Sequence, residues 1–189
     1  MLEKARQIEI DQIVIDWEDA VAPDQKQRAR DVTLAALALT WKASSVSVRI
    51  NGVETPHCLN DVLAITQKRS DPGQAVESLV LPKTASTSQI HFVSTLLDQL
   101  SVDDDPMAPS NIEALIEDAD GMINAHAIAL ASPRLEALIF GMGDFAAAQG
   151  IQTTVIGDQS GYDADLWHYP RYRLIMAARA ANIAAIDGP

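Results

Sequence analysis

Two carboxylates, Glu117 and Asp144, lie at or just past the ends of the short apolar runs IEALIE and LEALIF. Two such acids on neighbouring strands hold one hard divalent cation and leave positions for water and substrate oxygens. Magnesium is held this sparsely. Spacing alone does not single the pair out, because the sequence has 26 Asp and Glu. Asp118 and Asp120 are nearby alternatives that add charge or face solvent. Arg49 closes the run VSVRIN. A buried guanidinium needs a partner, so Arg49 either pairs with a carboxylate or meets an anionic ligand. Lys83, which follows Leu-Pro, has the same two readings, and a Schiff-base role is a less favoured third. Asp16-Trp17-Glu18-Asp19 either orients Arg49 or Lys83 or caps the helix that follows.

These residues need strands and helices to place them. Strand candidates are Gln12–Trp17, Val46–Asn51, Ser78–Pro82, Ile112–Glu117, Leu135–Phe140 and Ile183–Asp187. Several are continuously apolar, as parallel strands covered on both faces are. Helical spacing marks Asp24–Thr40, with Ala29, Val32, Ala36 and Leu39 in phase, and Asp24 as an early-turn acid. Ser86–Leu100 carries Ile90, Val93, Leu97 and Leu100 on one face, with Ser86 a candidate cap. Gly121–Ala131 is a short Ala-rich helix, and Tyr169–Asn182 has Pro170 in its first turn. An acidic loop, Ser101–Ser110, and a long polar loop, Ile151–His168, complete the chain.

Strand then helix, repeated, builds either a doubly wound open sheet or a (β/α)₈ barrel. No G-x-G-x-x-G follows the first strand, which removes the best support for a dinucleotide-binding sheet. Polar residues close five strands in succession: Asp16 with Glu18 and Asp19, Arg49 with Asn51, Lys83, Glu117 and Asp144. In a barrel such ends meet on one catalytic rim.

The 189 residues fit one domain with a sizeable core, being 48% hydrophobic. A formal charge of −12, with no basic block, argues against nucleic-acid binding. No apolar run is long enough to span a membrane, and the start lacks a signal-peptide layout. The single cysteine, Cys58, reads as a small core residue and fits a reducing compartment. A cytoplasmic location is the default expectation. His57, His91, His126 and His168 show no metal-ligand spacing.

Taken in order, the stretches IVIDWEDAVAPDQKQRAR, VSVRINGVETP, LVLPKTAS, ALIEDADGMINAHAIA, SPRLEALIFGMGDFAAAQG and RLIMAARAANIAAIDGP resemble the citrate lyase beta-subunit and malyl-CoA lyase family. That family sits among the metal-dependent HpcH/HpaI-type 2-oxo-acid aldolases. The resemblance implies an α/β (β/α)₈ TIM-barrel fold, acyl-CoA thioesters or small 2-oxo acids as substrates, and a homo-oligomer, trimer or hexamer. It implies Mg²⁺, with Mn²⁺ as a substitute, held by Glu117 and Asp144. It places Arg49 on the arginine that contacts substrate, beside Glu117 as a substrate-facing group. Glu18, Asp19 and Lys83 fall in motifs of the catalytic rim.

The sequence departs from the family pattern at Ala85, where L-P-K-x-E has its glutamate. Asp118 replaces the threonine of I-E-T-A, and Gly143 the glutamate of G-x-E-D. The family's first strand has no counterpart before Met1, and its seventh is only beginning at Pro189. The expectation is a single partial barrel domain over residues 1–189, with about six of the eight strands, a fragment or a chain completed by a partner. The function implied is metal-dependent cleavage or formation of a carbon–carbon bond in a citryl-, malyl- or citramalyl-CoA-type thioester. A CoA-independent 2-oxo-acid aldolase and an inactive homologue acting as a binding protein are the alternatives.

Overall fold

A computed structural model describes residues 1–66, 73–100, 109–151 and 165–188. Most of the acidic loop after Leu100, most of the polar loop after Ile151, and Pro189 lie outside the described residues.

Among the described residues six strands form one sheet: β1 (Gln12–Asp16), β2 (Ser45–Arg49), β3 (Ser78–Leu81), β4 (Asn111–Ile116), β5 (Leu135–Phe140) and β6 (Ala184–Ile186). Their order in the sheet is their order in the chain. A doubly wound sheet reverses its order at a switch point, whereas a barrel advances one strand at a time. The sequential order therefore decides between the two architectures in favour of barrel-type winding.

The helices are α1 (Leu2–Ala5), α2 (Lys26–Leu37), α3 (Cys58–Thr66), α4 (Thr87–Leu100), α5 (Ala119–Ala129), α6 (Met142–Ala148) and α7 (His168–Ala180). A 3₁₀ turn, Pro23–Gln25, leads into α2 and contains Asp24. No helix among the described residues is long and apolar enough to cross a membrane.

The chain divides into two compact units, Met1–Leu81 with Val93–Ile112, and Pro82–Phe92 with Glu113–Pro189. In the first unit β1 pairs with β2 and β2 with β3, all parallel. Val46, Val48, Leu79 and Leu81 are fully buried, as the continuous apolar runs required. The face that α2 buries differs from its apolar stripe. Lys26, Arg30, Thr33, Ala36 and Leu37 turn inward, while Val32 and Leu39 are exposed. Polar side chains face inward there because buried oxygens await them, as described below.

In the second unit β5 and β6 are parallel. Helix α7 carries Leu174, Ala177 and Ala178 into the core, and Pro170 sits in its first turn. Arg171 donates from Nε to both carboxylate oxygens of Asp187 at 3.0 Å, tying α7 to the end of β6. Phe140, Phe145 and Trp167 pack edge to face, with centroids 5.4–6.5 Å apart. That geometry suits the ring quadrupoles.

Candidate active site

Asp16 and Arg49 end β1 and β2 and are register partners across the parallel ladder. Their side chains therefore leave the sheet side by side. Arg49 donates from Nε to Asp16 Oδ1 at 2.8 Å and from Nη2 to Oδ2 at 2.6 Å. This bidentate fork is the strongest geometry available to the pair. Arg49 Nη1 lies 3.3 Å from Glu18 Oε2. Asp16 also accepts the backbone N–H of Glu18 at 2.8 Å and of Ala20 at 3.0 Å.

Burial raises the Asp16 pKa, but the Arg49 bonds and the two amides outweigh it, and the carboxyl is held below its ordinary value. The same hydrogen bond to Asp16 raises Arg49 further, so the guanidinium is permanently charged. A carboxyl with a depressed folded-state pKa stabilises the fold above its unfolded value, about 3.9, and that stability is lost as pH falls through the folded value. Thermal melting points are therefore expected to drop as pH is lowered below about 4. Asp16→Asn should flatten that dependence, and an unchanged profile would show that Asp16 does not carry it.

The turn after β1 is fixed from behind by a buried polar network. Lys26 reaches Trp17 O at 2.8 Å and Glu18 O at 2.7 Å. Asn51 Nδ2 donates to Trp17 O at 3.1 Å and to Asp61 Oδ2 at 2.6 Å, and Asn51 N reaches the same oxygen at 2.8 Å. Arg30 Nε donates to the other oxygen, Asp61 Oδ1, at 2.7 Å. Lys26, Arg30 and Asp61 escaped sequence reading. Lys26 and Arg30 stand in a charged helix start, and Asp61 breaks the apolar stripe of α3. Asp19 is exposed, with its N–H 3.3 Å from Glu18 Oε2. Cys58, at the start of α3, is buried, and burial aided by Asp61 pushes its thiol up to about 12. It is no nucleophile at neutral pH.

The second group of candidates lies in the other unit. Glu117 directly follows β4 and is buried. Its Oε1 accepts the backbone N–H of Lys83 at 2.7 Å. Gly141 follows β5, and its N–H donates to Ile116 O at 3.0 Å. A Cβ at Gly141 would stand 2.6 Å from Glu117 Cβ and 2.7 Å from Oε2. Glycine is thus the residue that leaves the carboxylate its place. Asp144 is exposed in the first turn of α6, one turn beyond Gly141. The lysine side chain at position 83 is exposed, and its backbone is left-handed, with φ 50°. Asp118 caps α5, accepting Gly121 N–H at 2.6 Å.

Sequence reading expected the candidates to meet on one rim. The structure joins Asp16, Glu18 and Arg49 directly, and brings Lys83, Glu117 and Gly141 together in the second unit. Among the described residues no three His, Cys, Asp or Glu side chains gather into a metal cluster. A sparse set of two carboxylates suits magnesium, which keeps much of its water and substrate oxygen. The glycine cradle beside Glu117 fits such a ligand as well.

The sequence matches the model of HpcH/HpaI aldolase/citrate lyase over residues 1–188. The chain belongs to this family. An L-malyl-CoA/beta-methylmalyl-CoA lyase of Cereibacter sphaeroides is 33% identical over 200 residues, covering 100% of this chain and 62% of that protein. The citrate lyase subunit beta of Leuconostoc mesenteroides subsp. cremoris is 31% identical, covering 94% of this chain and 55% of that one. Among solved structures, the citrate lyase beta subunit from M. tuberculosis, complexed with oxaloacetate and magnesium, aligns with a TM-score of 0.70 and 26% identity. It covers 94% of this chain and 68% of that one. The chain therefore spans about 62% of the length of the malyl-CoA lyase it matches. The TIM-barrel-type α/β fold expected from sequence holds.

Proposed function

We propose that this family member takes part in magnesium-dependent cleavage or formation of a carbon–carbon bond in a hydroxyacyl-CoA thioester of the malyl, citramalyl or citryl type. The products of cleavage are an acyl-CoA and a small 2-oxo acid. The observation that carries this reading is the buried Glu117, held by an amide and given room by Gly141 at the end of β4. It stands within a family match that spans residues 1–188.

In this reading Glu117 and Asp144 hold Mg²⁺, with Mn²⁺ as a substitute. The bound metal supplies Lewis-acid polarisation of the 2-oxo acid's carbonyl. Arg49 presents the N–H groups not spent on Asp16 and Glu18 to an oxygen that gains negative charge, the enolate oxygen of the thioester. Asp16 and Glu18 keep the guanidinium in one orientation, so no reorganisation is needed when charge develops. Glu18 is a positioning residue here, and Asp19 stands at the same turn. A homo-oligomer belongs to the same reading.

The test is turnover of malyl-, citramalyl- and citryl-CoA by the purified protein, read as release of 2-oxo acid, with Mg²⁺, Mn²⁺ or a chelator. Metal-dependent release from a thioester is the expected result. Cleavage of free hydroxy-oxo acids but not of thioesters would replace this reading with a CoA-independent aldolase. No turnover, together with no divalent-cation binding, would leave a binding protein.

A further inference from the structure

We infer that the turn between β3 and α4 positions the Glu117 carboxylate through the main chain of Lys83, with Gln89 as the residue that locks the turn. The inference deepens the metal-site reading above and rests on it. It gives Lys83 a role that its charge does not suggest.

Lys83 has φ 50°. A left-handed conformation at a residue with a Cβ costs of order 1 kcal/mol and persists only where its surroundings over-determine it. The surroundings here do so. Gln89, in the first turn of α4, accepts the N–H of Ala85 at 2.7 Å and of Ser86 at 2.9 Å through one oxygen. Its amide nitrogen donates back to Lys83 O at 3.1 Å. Thr84 N–H donates to Leu115 O in β4 at 3.1 Å. Asn124 Nδ2, from α5, donates to Ala85 O at 2.9 Å. Gly121 packs so closely that a Cβ there would stand 2.4 Å from Thr84 O.

The product of these constraints is one N–H aimed at Glu117 Oε1 at 2.7 Å. The amide fixes one carboxylate oxygen, and Gly141 leaves space at the other. Groups that orient a metal ligand this way typically account for about 10–100-fold in metal affinity. The lysine side chain is exposed, and the contact to Glu117 described here is made by the main chain. Gln89 touches no ligand atom, so its effect must travel through the turn.

The test uses the 189-residue chain with Mn²⁺ alone as probe, free Mn²⁺ being read by electron paramagnetic resonance. In parallel, the metal-free protein is examined by ¹H–¹⁵N NMR at the amide of position 83. Lys83→Ala should keep Mn²⁺ affinity within about twofold, since the amide remains. Gln89→Ala should weaken it about tenfold, and Gln89→Glu, which keeps the acceptor for Ala85 and Ser86, should recover part of that loss. The position-83 amide proton should lie downfield in wild type and move upfield in Gln89→Ala and in Glu117→Gln. Loss of Mn²⁺ binding in Lys83→Ala with the amide resonance unmoved would overturn the inference in favour of the ammonium. Unchanged affinity and amide shift in Gln89→Ala would overturn it too. If the wild type binds no Mn²⁺, the metal-site reading fails, and the amide shifts alone decide the role of the turn.

Discussion

Asp61→Ala is expected to lose about 3–5 kcal/mol of folding stability. Asp61 is fully buried, and its partner Arg30 is buried. Removing the carboxylate leaves the buried Arg30 guanidinium without its counter-ion and the Asn51 N–H without its acceptor, while Asn51 Nδ2 keeps Trp17 O. Breaking a buried pair from one side costs far more than the pair contributes net. Each orphaned donor adds its own desolvation cost. Urea denaturation followed by circular dichroism measures the loss as a lowered midpoint with little change in slope. Replacing both members of the pair with apolar residues of similar size, as in Arg30→Met with Asp61→Leu, should cost less than Asp61→Ala alone. A double variant as unstable as the single one would show that the Asn51 contacts, and not the ion pair, dominate. Because Asn51 and Lys26 share the Trp17 carbonyl, the single variant should also loosen the turn that carries Glu18.

The strands were legible as short apolar runs between stretches of helical spacing, most plainly at β3, whose four residues are all buried. All six fell within two residues of the expected ends. The helices were less uniform. Helix α4 announced itself through Ile90, Val93 and Leu97, all of which are fully buried. Helix α3 was missed because its sequence, CLNDVLAIT, places a buried acid in the apolar stripe. Helix α6 was hidden by the glycines at its start, Gly141 and Gly143.

The site divides along the same line. Asp16, Glu18 and Arg49 were singled out by type and by position at strand ends, yet their pairing stayed open until the register put Asp16 opposite Arg49. Glu117 was visible as an acid at a strand end. What holds it was not visible, since a backbone amide and an absent Cβ leave no mark in residue types. Lys83 attracted notice for its charge, whereas it is its main-chain N–H that bonds Glu117. The groups that orient a ligand are what residue types reveal least, because every residue except proline offers a backbone N–H.

Glu117→Ala is expected to reduce Mn²⁺ affinity at least about 100-fold, beyond the range found when only an orienting partner is lost. Truncation removes the buried carboxylate and leaves the Lys83 N–H facing a cavity beside Gly141. Asp144, exposed in the first turn of α6, then offers a single carboxylate, too little to compete with the hydration shell that magnesium surrenders reluctantly. Glu117→Gln separates charge from shape. It keeps an oxygen for the Lys83 amide and fills the same space, but lacks the charge that a hard cation requires, so its Mn²⁺ affinity should fall nearly as far. Its thermal stability should stay nearer to wild type than that of Glu117→Ala, which also forms a cavity. Asp144→Ala should act in the same direction on metal affinity with little change in stability, since the side chain is exposed. Titration of free Mn²⁺ by electron paramagnetic resonance, with melting curves of the same samples, distinguishes the three. Wild-type affinity in both Glu117 variants would remove Glu117 from the metal site and with it the proposed chemistry at the end of β4. Loss in the Glu117 variants alone, with Asp144→Ala unchanged, would keep the site on Glu117 and assign its second ligand elsewhere.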